Sequence, residues 1–292
     1  MLKTHLNQIL KEDFISFGEV HGVVDLCDVY INIVEAWIKQ GRSICVLLEI
    51  SFDEQGEIDK WMQSGKISKN YLENYRNPSV SAYLSSNYRF LNTLALLNKK
   101  SNLIRTICFD MSFDHALDPA LSTDHSISKK IQSIKDEDLF DLQREGFMKQ
   151  KVASHWNKVE EADKTLMICG SMHASKSDYY FARGAEPLKQ IETITYWINV
   201  RRPVCSIYFA PKKLNNTYQH NGALATKTSV GLNTDLVGAT SRLSGPSLIS
   251  VGELALSEPW KKSFDYLYYV DETKADTCLD LRKALTHHTY LV

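Results

Sequence analysis

Short apolar runs alternate along the chain with longer segments whose apolar residues recur at the spacing of a helix. The first short runs predict four buried strands, at Phe14–Phe17, Ser43–Glu49, Leu103–Phe109 and Leu166–Cys169. Three further strands are predicted in the second half of the chain, at Ile194–Val200, Val204–Phe209 and Phe264–Val270. Because polar residues do not alternate with apolar ones in these runs, we expect strands that are covered on both faces.

The longer segments predict helices between and after the strands. They lie at Val23–Gln40, at Ser79–Asn98, at Asp136–Asp163 as one long helix or two, and at Cys278–Leu285. Strands separated by helices indicate βαβ units. The expected fold is therefore α/β, a mainly parallel β-sheet flanked by helices, in a single domain over residues 1–292.

One segment in the C-terminal half, Pro211–Ser250, departs from this alternation. It is rich in Asn, Thr, Ser and Gly and poor in large apolar residues, and it carries Lys212, Lys213, Lys227 and Arg242 against Asp235. It predicts a long polar loop or a lid-like insertion over the sheet. A surface insertion without a function is an equally weighted alternative.

Composition and charge exclude several classes of protein. The 292 residues include 34 Lys and Arg against 35 Asp and Glu, so there is no basic excess of the kind that nucleic-acid binding needs. No segment reaches the roughly 20 apolar residues of a membrane helix. The start of the chain has no apolar signal-peptide core, and four of the six cysteines lie in apolar runs with no Cys-x-x-Cys pair. We expect a cytoplasmic protein with reduced core cysteines, no nucleic-acid or membrane partner, and an undetermined oligomeric state.

A Gly-x-x-His motif directly follows two of the predicted strands. It reads Gly-Glu-Val-His at Gly18–His21 and Gly-Ser-Met-His at Gly170–His173. The carboxyl ends of parallel strands share one edge of a sheet, and ligands bind at that edge. We therefore expect His21 and His173 to converge there, although either one alone is more often a structural histidine.

Two more strands are predicted to present a carboxylate at this edge. Glu49 ends one strand, and Asp110 directly follows another. An acid at such a position is also typical of the N-cap of the next helix, and this is our first interpretation of Asp110. Ionisable groups at the ends of buried strands carry a desolvation penalty, and clusters of them tend to mark functional sites.

The segment around the first motif is acidic. Residues 12–28 contain five Asp or Glu residues and no Lys or Arg. Such a field favours a protonated or a metal-bound His21. Alternatively, a carboxylate such as Glu19 orients the imidazole so that it acts as a general base on water.

Several of these segments together resemble the erythromycin esterase family. They are Phe17–Gly22, Leu47–Glu49, Asn87–Phe90, Ile107–Met111 and Ile168–Ala174. The spacing between His21 and Glu49 is also close to that of the family. The wider superfamily includes the ChaN-like haem-binding proteins and the TIKI/TraB-type proteins, and the paired Gly-x-x-His motif is a hallmark of the latter.

The resemblance implies a role for each matching residue. His21 would be the general base, and Glu19 and Glu49 would orient it or hold the charge. His173 would stabilise the oxyanion or assist the leaving group. Arg89 would bind a substrate carbonyl or carboxylate, and Asp110 is the second candidate for substrate binding.

Three functions stay open at this point. The first is hydrolysis of an ester, lactone or amide of a small molecule or peptide. If the chain acts like the esterases it resembles, this reaction needs no metal. The second is a ChaN-like haem- or cofactor-binding protein. The third is a TIKI-like peptidase with a divalent metal, for which Glu19, His21 and His173 are the candidate ligands. Gly-x-Ser-x-Gly, Walker A and Gly-x-Gly-x-x-Gly motifs are absent, so a serine hydrolase or a nucleotide-binding protein has no support.

Overall fold

The computed structural model describes residues 2–19, 26–68, 78–111, 137–181, 187–190, 192–215, 236, 239–241, 243 and 245–274. Its strands, in chain order, are β1 Phe14–Glu19, β2 Ile44–Ser51, β3 Ile104–Asp110, β4 Lys164–Gly170, β5 Tyr179–Phe181, β6 Pro187–Gln190, β7 Cys205–Asn215, β8 Ser247–Ser250 and β9 Tyr266–Lys274. Its helices are α1 Leu2–Ile9, α2 Leu26–Lys39, α3 Gln55–Ser64, α4 Pro78–Ser101, α5 Glu137–Ser154, α6 Trp156–Glu160, α7 Ile194–Asn199 and α8 Glu258–Ser263. Short 3₁₀ helices lie at Phe52–Glu54 and Val251–Glu253.

Seven of these strands form one sheet, in the order β3-β2-β4-β1-β7-β9-β8. All neighbours in it pair in parallel except β8 and β9, which are antiparallel. Strands β5 and β6 form a separate antiparallel pair. The predicted α/β fold with a mainly parallel sheet flanked by helices is therefore confirmed.

Each face of the sheet has its own hydrophobic core. Alternate strand residues such as Phe17 and Leu48 pack on one face with side chains of α2, α3 and α4. Their neighbours, such as Leu47 and Cys169, pack on the other face with side chains of α5 to α8. Every residue of β1, β2 and β4 is buried, as the non-alternating sequence predicts.

The parallel register brings the carboxyl ends of four strands to one edge. Glu19, the last residue of β1, lies opposite Gly170 at the end of β4. Ser51, the last residue of β2, lies opposite Asp110 at the end of β3. The four strand ends that carry the candidate residues are therefore neighbours in space.

The prediction of a strand at Ile194–Val200 is wrong, because these residues begin the helix α7. The Thr193 side chain accepts a hydrogen bond from the backbone N–H of Tyr196 and caps the helix. Ile194 and Ile198, four residues apart, are both buried on one side of it. The cap and this burial override the strand preference of β-branched and aromatic residues.

The predicted polar excursion is shorter than Pro211–Ser250, because both of its ends belong to strands. Strand β7 continues through Asn215, and Ser247–Ser250 is the edge strand β8. Of the part between them, Leu236 is a buried apolar residue, whereas residues 216–235 lie outside the described part of the chain. For Asp136–Asp163 the sequence left one long helix or two open, and the structure has two, α5 and α6. The helix expected at Cys278–Leu285 lies outside the described residues.

The cysteines of the described segments are buried, and none of them forms a disulfide bond there. They are Cys27, Cys45, Cys108, Cys169 and Cys205. Burial raises the pKa of the Cys27 and Cys45 thiols to about 12, so neither forms a thiolate readily at neutral pH. In addition, no helix among the described residues is long and apolar enough to cross a membrane.

We expect Gly18→Ala to destabilise the protein. A Cβ atom on Gly18 would lie 2.7 Å from the Ala174 Cβ and 2.9 Å from the Ser171 Cα, so the segment after β4 would have to shift. Overpacking of this kind costs about 1–3 kcal/mol of unfolding free energy, measurable by urea denaturation. Gly56→Ala is the matched control, because nothing lies within 4 Å of that Cβ position on α3. It should be neutral or stabilise by up to about 1 kcal/mol, and an equal loss in both variants would contradict the steric argument.

Candidate active site

Ionisable side chains gather at the carboxyl edge of the sheet and are buried there. Glu19, Glu49, Asp110 and His173 expose only 3%, 5%, 3% and 2% of their surfaces. Arg144 and Glu145, consecutive residues of α5, are equally buried. Charged side chains are rarely buried to this degree unless they have partners, so their contacts define the site.

Arg144 pairs with two carboxylates from neighbouring strands. Its Nε donates to Asp110 Oδ1 and its terminal nitrogen to Asp110 Oδ2, both at 2.8 Å. The same terminal nitrogen also donates to Glu49. Burial alone lowers the pKa of the guanidinium, but the carboxylates of Asp110 and Glu49 outweigh it and raise the pKa further. Arg144 is therefore a permanent cation that links the ends of β2 and β3.

Glu49 also reaches the neighbouring strand on its other side. Its Oε2 accepts a hydrogen bond of 2.5 Å from the backbone N–H of Gly170, the first residue of the second Gly-x-x-His motif. Its Oε1 lies 3.5 Å from His173 Nε2. Glu49 thus stands between the Arg144 guanidinium and the His173 imidazole.

Glu145 holds the other side of His173. The Nδ1 atom of His173 lies 2.5 Å from Glu145 Oε1. The second oxygen of Glu145 accepts a hydrogen bond of 2.6 Å from the backbone N–H of Ile194, the first residue of α7. The imidazole is therefore fixed between two carboxylates, Glu145 at Nδ1 and Glu49 beyond Nε2.

The surroundings of His173 favour its charged form. Burial by itself disfavours the imidazolium, but the carboxylates of Glu49 and Glu145 outweigh burial and the repulsion from Arg144. The net result is a pKa above the ordinary histidine value of 6.5. The raised pKa extends the pH range over which His173 is a cation that can donate a hydrogen bond or a proton.

Glu19 connects the two Gly-x-x-His motifs. Its side chain accepts a hydrogen bond of 2.8 Å from the Tyr30 hydroxyl of α2. Its backbone carbonyl accepts one of 3.0 Å from the N–H of Ser171 in the second motif. The start of the His21 segment is therefore attached to the loop that carries His173.

The predictions for His21, Arg89 and Asp110 have different outcomes. His21 lies in residues 20–25, outside the described part of the chain. Arg89 is 43% exposed and forms an ion pair with Asp28 in the first turn of α2, apart from the Arg144 cluster. The carboxylate of Asp110 accepts from the Met111 N–H and binds Arg144, so Asp110 is part of the buried cluster. The helix that it was expected to cap would fall beyond residue 111, outside the described residues.

The sequence analysis missed Arg144 and Glu145, although a signal for them was present. The apolar stripe of the Asp136–Asp163 segment includes Met148 and Val152, which are fully buried. Arg144 and Glu145 precede Met148 by four and three residues, which are the intervals that keep side chains on one helical face. Two charges on the buried face of a helix indicate a polar site beneath it.

The described segments contain no complete set of metal-binding side chains. Within them, no three His, Cys, Asp or Glu side chains group as a metal ion requires. Of the predicted ligands, Glu19 binds the Tyr30 hydroxyl and His173 has Nδ1 directed to Glu145. The third predicted ligand, His21, lies outside the described residues.

The fold of this chain is that of the erythromycin esterases. A mutant of the erythromycin esterase EreC, in its open conformation, is similar over 95% of each chain, with a TM-score of 0.66 and 10% identity. A succinoglycan biosynthesis protein is similar over 92% of this chain and 90% of its own, with a TM-score of 0.57 and 10% identity. A Bacillus cereus protein is similar over 92% and 91%, with a TM-score of 0.53 and 12% identity. No protein-family model matches the chain, and no curated protein matches its sequence.

These similarities confirm the predicted resemblance at the level of the fold. They span almost the whole of each chain, and the first of them is to an enzyme that is named for cleaving an ester. At 10–12% identity they carry no information about the substrate.

We expect Arg144→Met to destabilise the protein strongly. The variant keeps most of the apolar volume but leaves the buried carboxylates of Glu49 and Asp110 without their cation, which costs about 3–5 kcal/mol. Urea denaturation at neutral pH measures this loss. Arg105→Met is the control, because the ion pair of Arg105 with Glu161 is exposed and worth at most about 1 kcal/mol. Similar losses in the two variants would show that the buried cluster does not depend on Arg144.

We also expect the contribution of His173 to stability to depend on pH. Because its pKa is raised in the folded state, its charged interaction with Glu145 and Glu49 is fully present below the unfolded-state value near 6.5. It is lost as the pH rises through the higher folded-state pKa. The difference in unfolding free energy between wild type and His173→Gln should therefore shrink as the pH rises from about 6.5 into the alkaline range. A difference that grows over this range would contradict a raised pKa.

Proposed function

We propose that this chain is a hydrolase that cleaves an ester, lactone or amide bond of a small molecule or peptide with water activated by His21. The observation that carries the proposal is the His173 imidazole ring, fixed by Glu145 beside Glu49 and Arg144 at the carboxyl edge of the sheet. The fold shared with an erythromycin esterase supports the same reaction class. Ligands of parallel sheets bind at this edge.

In this mechanism His21 is the general base. It follows Glu19, the buried last residue of β1, by two positions in the sequence, and Glu19 lies opposite Gly170, the last residue of the strand before His173. His21 takes a proton from water, and the oxygen of that water attacks the carbonyl carbon. The carbonyl oxygen gains negative charge, and the leaving group must gain a proton before the carbon–oxygen or carbon–nitrogen bond breaks.

We assign both the stabilisation of the carbonyl oxygen and the protonation of the leaving group to His173. As an imidazolium it donates a hydrogen bond from Nε2 to the developing oxyanion, or a proton to the leaving group. Its orientation is set before substrate binds, because Glu145 holds Nδ1 at 2.5 Å. A donor that is oriented in advance needs no reorganisation during the reaction.

Glu49 and Arg144 hold the charge around His173. Glu49 Oε1 lies 3.5 Å from His173 Nε2 and also accepts a hydrogen bond from Arg144. Its carboxylate therefore favours the imidazolium through charge, and Arg144 holds that carboxylate in place. Of the two roles that the resemblance implies for Glu49, these contacts support holding the charge rather than orienting His21.

Arg89 is the proposed substrate-binding residue outside the cluster. It is half-exposed, and its partner Asp28 is 70% exposed, so a carboxylate or carbonyl of a substrate can compete for the guanidinium. Exposed ion pairs are worth little, so the exchange of partners is nearly neutral in free energy. The proposed reaction requires neither a metal ion nor haem.

We expect His21→Ala to abolish most of the hydrolysis while the protein stays folded. The assay uses 4-nitrophenyl acetate as an ester, dihydrocoumarin as a lactone and an amino-acid 4-nitroanilide as an amide. Loss of a general base lowers kcat by about 10²–10⁴-fold. Circular dichroism and thermal unfolding check the fold, and His155→Ala is a control whose ring contacts Ser154 and Phe52 rather than the cluster.

Different outcomes would support the other two functions. An unchanged rate in His21→Ala would remove His21 as the base. A haemin absorption band that persists in Glu49→Gln, without hydrolysis of any of the three compounds, would support haem binding. Stoichiometric Mn, Zn or Co in the purified protein, with activity that chelation removes, would support the metal-dependent peptidase.

A further inference from the structure

We propose that Glu145 is a positioning residue that fixes a proton on Nδ1 of His173 and so leaves Nε2 as the atom that exchanges a proton during hydrolysis. The kinetic part of this proposal rests on the proposed function. The assignment of the proton on Nδ1 rests on the geometry of the buried cluster alone.

The orientation of the Glu145 carboxylate is determined by the backbone. Its Oε2 accepts the N–H of Ile194 at 2.6 Å, and the first N–H groups of a helix have no acceptor within the helix itself. This leaves Oε1 facing His173 Nδ1 at 2.5 Å. Glu145 is 1% exposed, so water cannot readily replace it at either donor.

A carboxylate in this position assigns the proton on the ring. An ionised carboxylate can only accept hydrogen bonds, so the ring atom that faces it must be a donor. Nδ1 therefore carries a proton in both charge states of His173. The proton that comes and goes is the one on Nε2, because the partner of one ring nitrogen sets the state of the other.

The second ring nitrogen has a different neighbour. Nε2 lies 3.5 Å from Glu49 Oε1, longer than the 2.7–3.2 Å of an ordinary N–H···O hydrogen bond. Glu49 is itself committed to Arg144 and to the Gly170 N–H. The carboxylate at Nδ1 is thus a short-range acceptor, whereas the carboxylate near Nε2 acts mainly through its charge.

Two adjacent residues of helix α5 hold the two parts of the cluster. Arg144 fixes the carboxylates at the ends of β2 and β3, and Glu145 fixes the histidine after β4 together with the start of α7. Because the two residues are consecutive, any shift of this helical turn would move both sets of contacts together. The position of Glu145 is therefore fixed relative to Glu49 and Asp110, the two carboxylates that Arg144 neutralises.

Glu145→Gln is the variant that separates this role from simple packing. The Ile194 N–H still requires an acceptor, so the single amide oxygen of Gln is drawn to it. The amide NH₂ group then faces His173 Nδ1, and because it is only a donor, the neutral ring must carry its proton on Nε2. The substitution keeps the shape of the side chain and reverses the tautomer of His173.

The readout is the two-bond ¹⁵N–¹H NMR spectrum of histidine-labelled protein, with His173 assigned from the His173→Gln spectrum. Above the pH at which the ring titrates, wild type should show the Nδ1–H form and Glu145→Gln the Nε2–H form. With 4-nitrophenyl acetate, Glu145→Gln should lower kcat by about 10–100-fold and leave KM nearly unchanged, as removal of an orienting partner does. Glu161→Gln, at the exposed pair with Arg105, is the matched control and should change neither readout.

An Nε2–H ring in the neutral wild-type protein would overturn the proposal, and this result does not depend on whether any variant folds. An unchanged tautomer in folded Glu145→Gln would overturn it as well. If no ester, lactone or amide is cleaved by wild type, the proposed function fails, while the wild-type spectrum still decides whether Glu145 fixes the proton on Nδ1.

Discussion

The ion pairs of Arg144 with Glu49 and Asp110 are the interaction on which the site depends. Buried strands that end in carboxylates would place uncompensated negative charge beneath a helix, and an unpaired buried charge costs several kcal/mol. Arg144 supplies the missing cation to both strands. To do so, helix α5 must lie over the ends of β2 and β3, and that placement directs Glu145 to His173. One charge requirement therefore positions the helix, and the helix positions the histidine.

Close packing of β1 against the segment after β4 is the second constraint. Gly18 has no Cβ, and a side chain there would meet Ser171 and Ala174. This approach allows the Glu19 carbonyl to accept the Ser171 N–H. The glycines of the two Gly-x-x-His motifs consequently have distinct uses: Gly18 allows close packing, and Gly170 gives its N–H to Glu49.

The sequence was sufficient to predict every strand of the seven-stranded sheet except β8. It also indicated the edge at which Glu19, Glu49, Asp110 and His173 lie, because strand ends follow directly from the alternation of elements. It failed at α7, where β-branched and aromatic residues favour a strand but Thr193 caps a helix. The partners of the site were harder to predict. Arg144 and Glu145 lie more than 90 residues from Glu49 and 29 and 28 residues from His173. Their spacing from Met148 indicates that they are buried, but local patterns do not show which distant side chains they contact.

The balance of charge within the cluster limits what the proposed chemistry can use. Glu19, Glu49, Asp110 and Glu145 are acidic, and only two of the described cluster residues, Arg144 and His173, are basic. Arg144 is committed to Asp110 and Glu49, so an oxyanion forming nearby would be repelled by the remaining carboxylates unless a donor stood between them. His173 can be that donor only if Nδ1 is occupied by Glu145 and Nε2 carries the proton. The same carboxylates that would oppose the oxyanion favour the imidazolium that would stabilise it in the proposed reaction. This is a physical reason for His173 to lie in an acidic pocket.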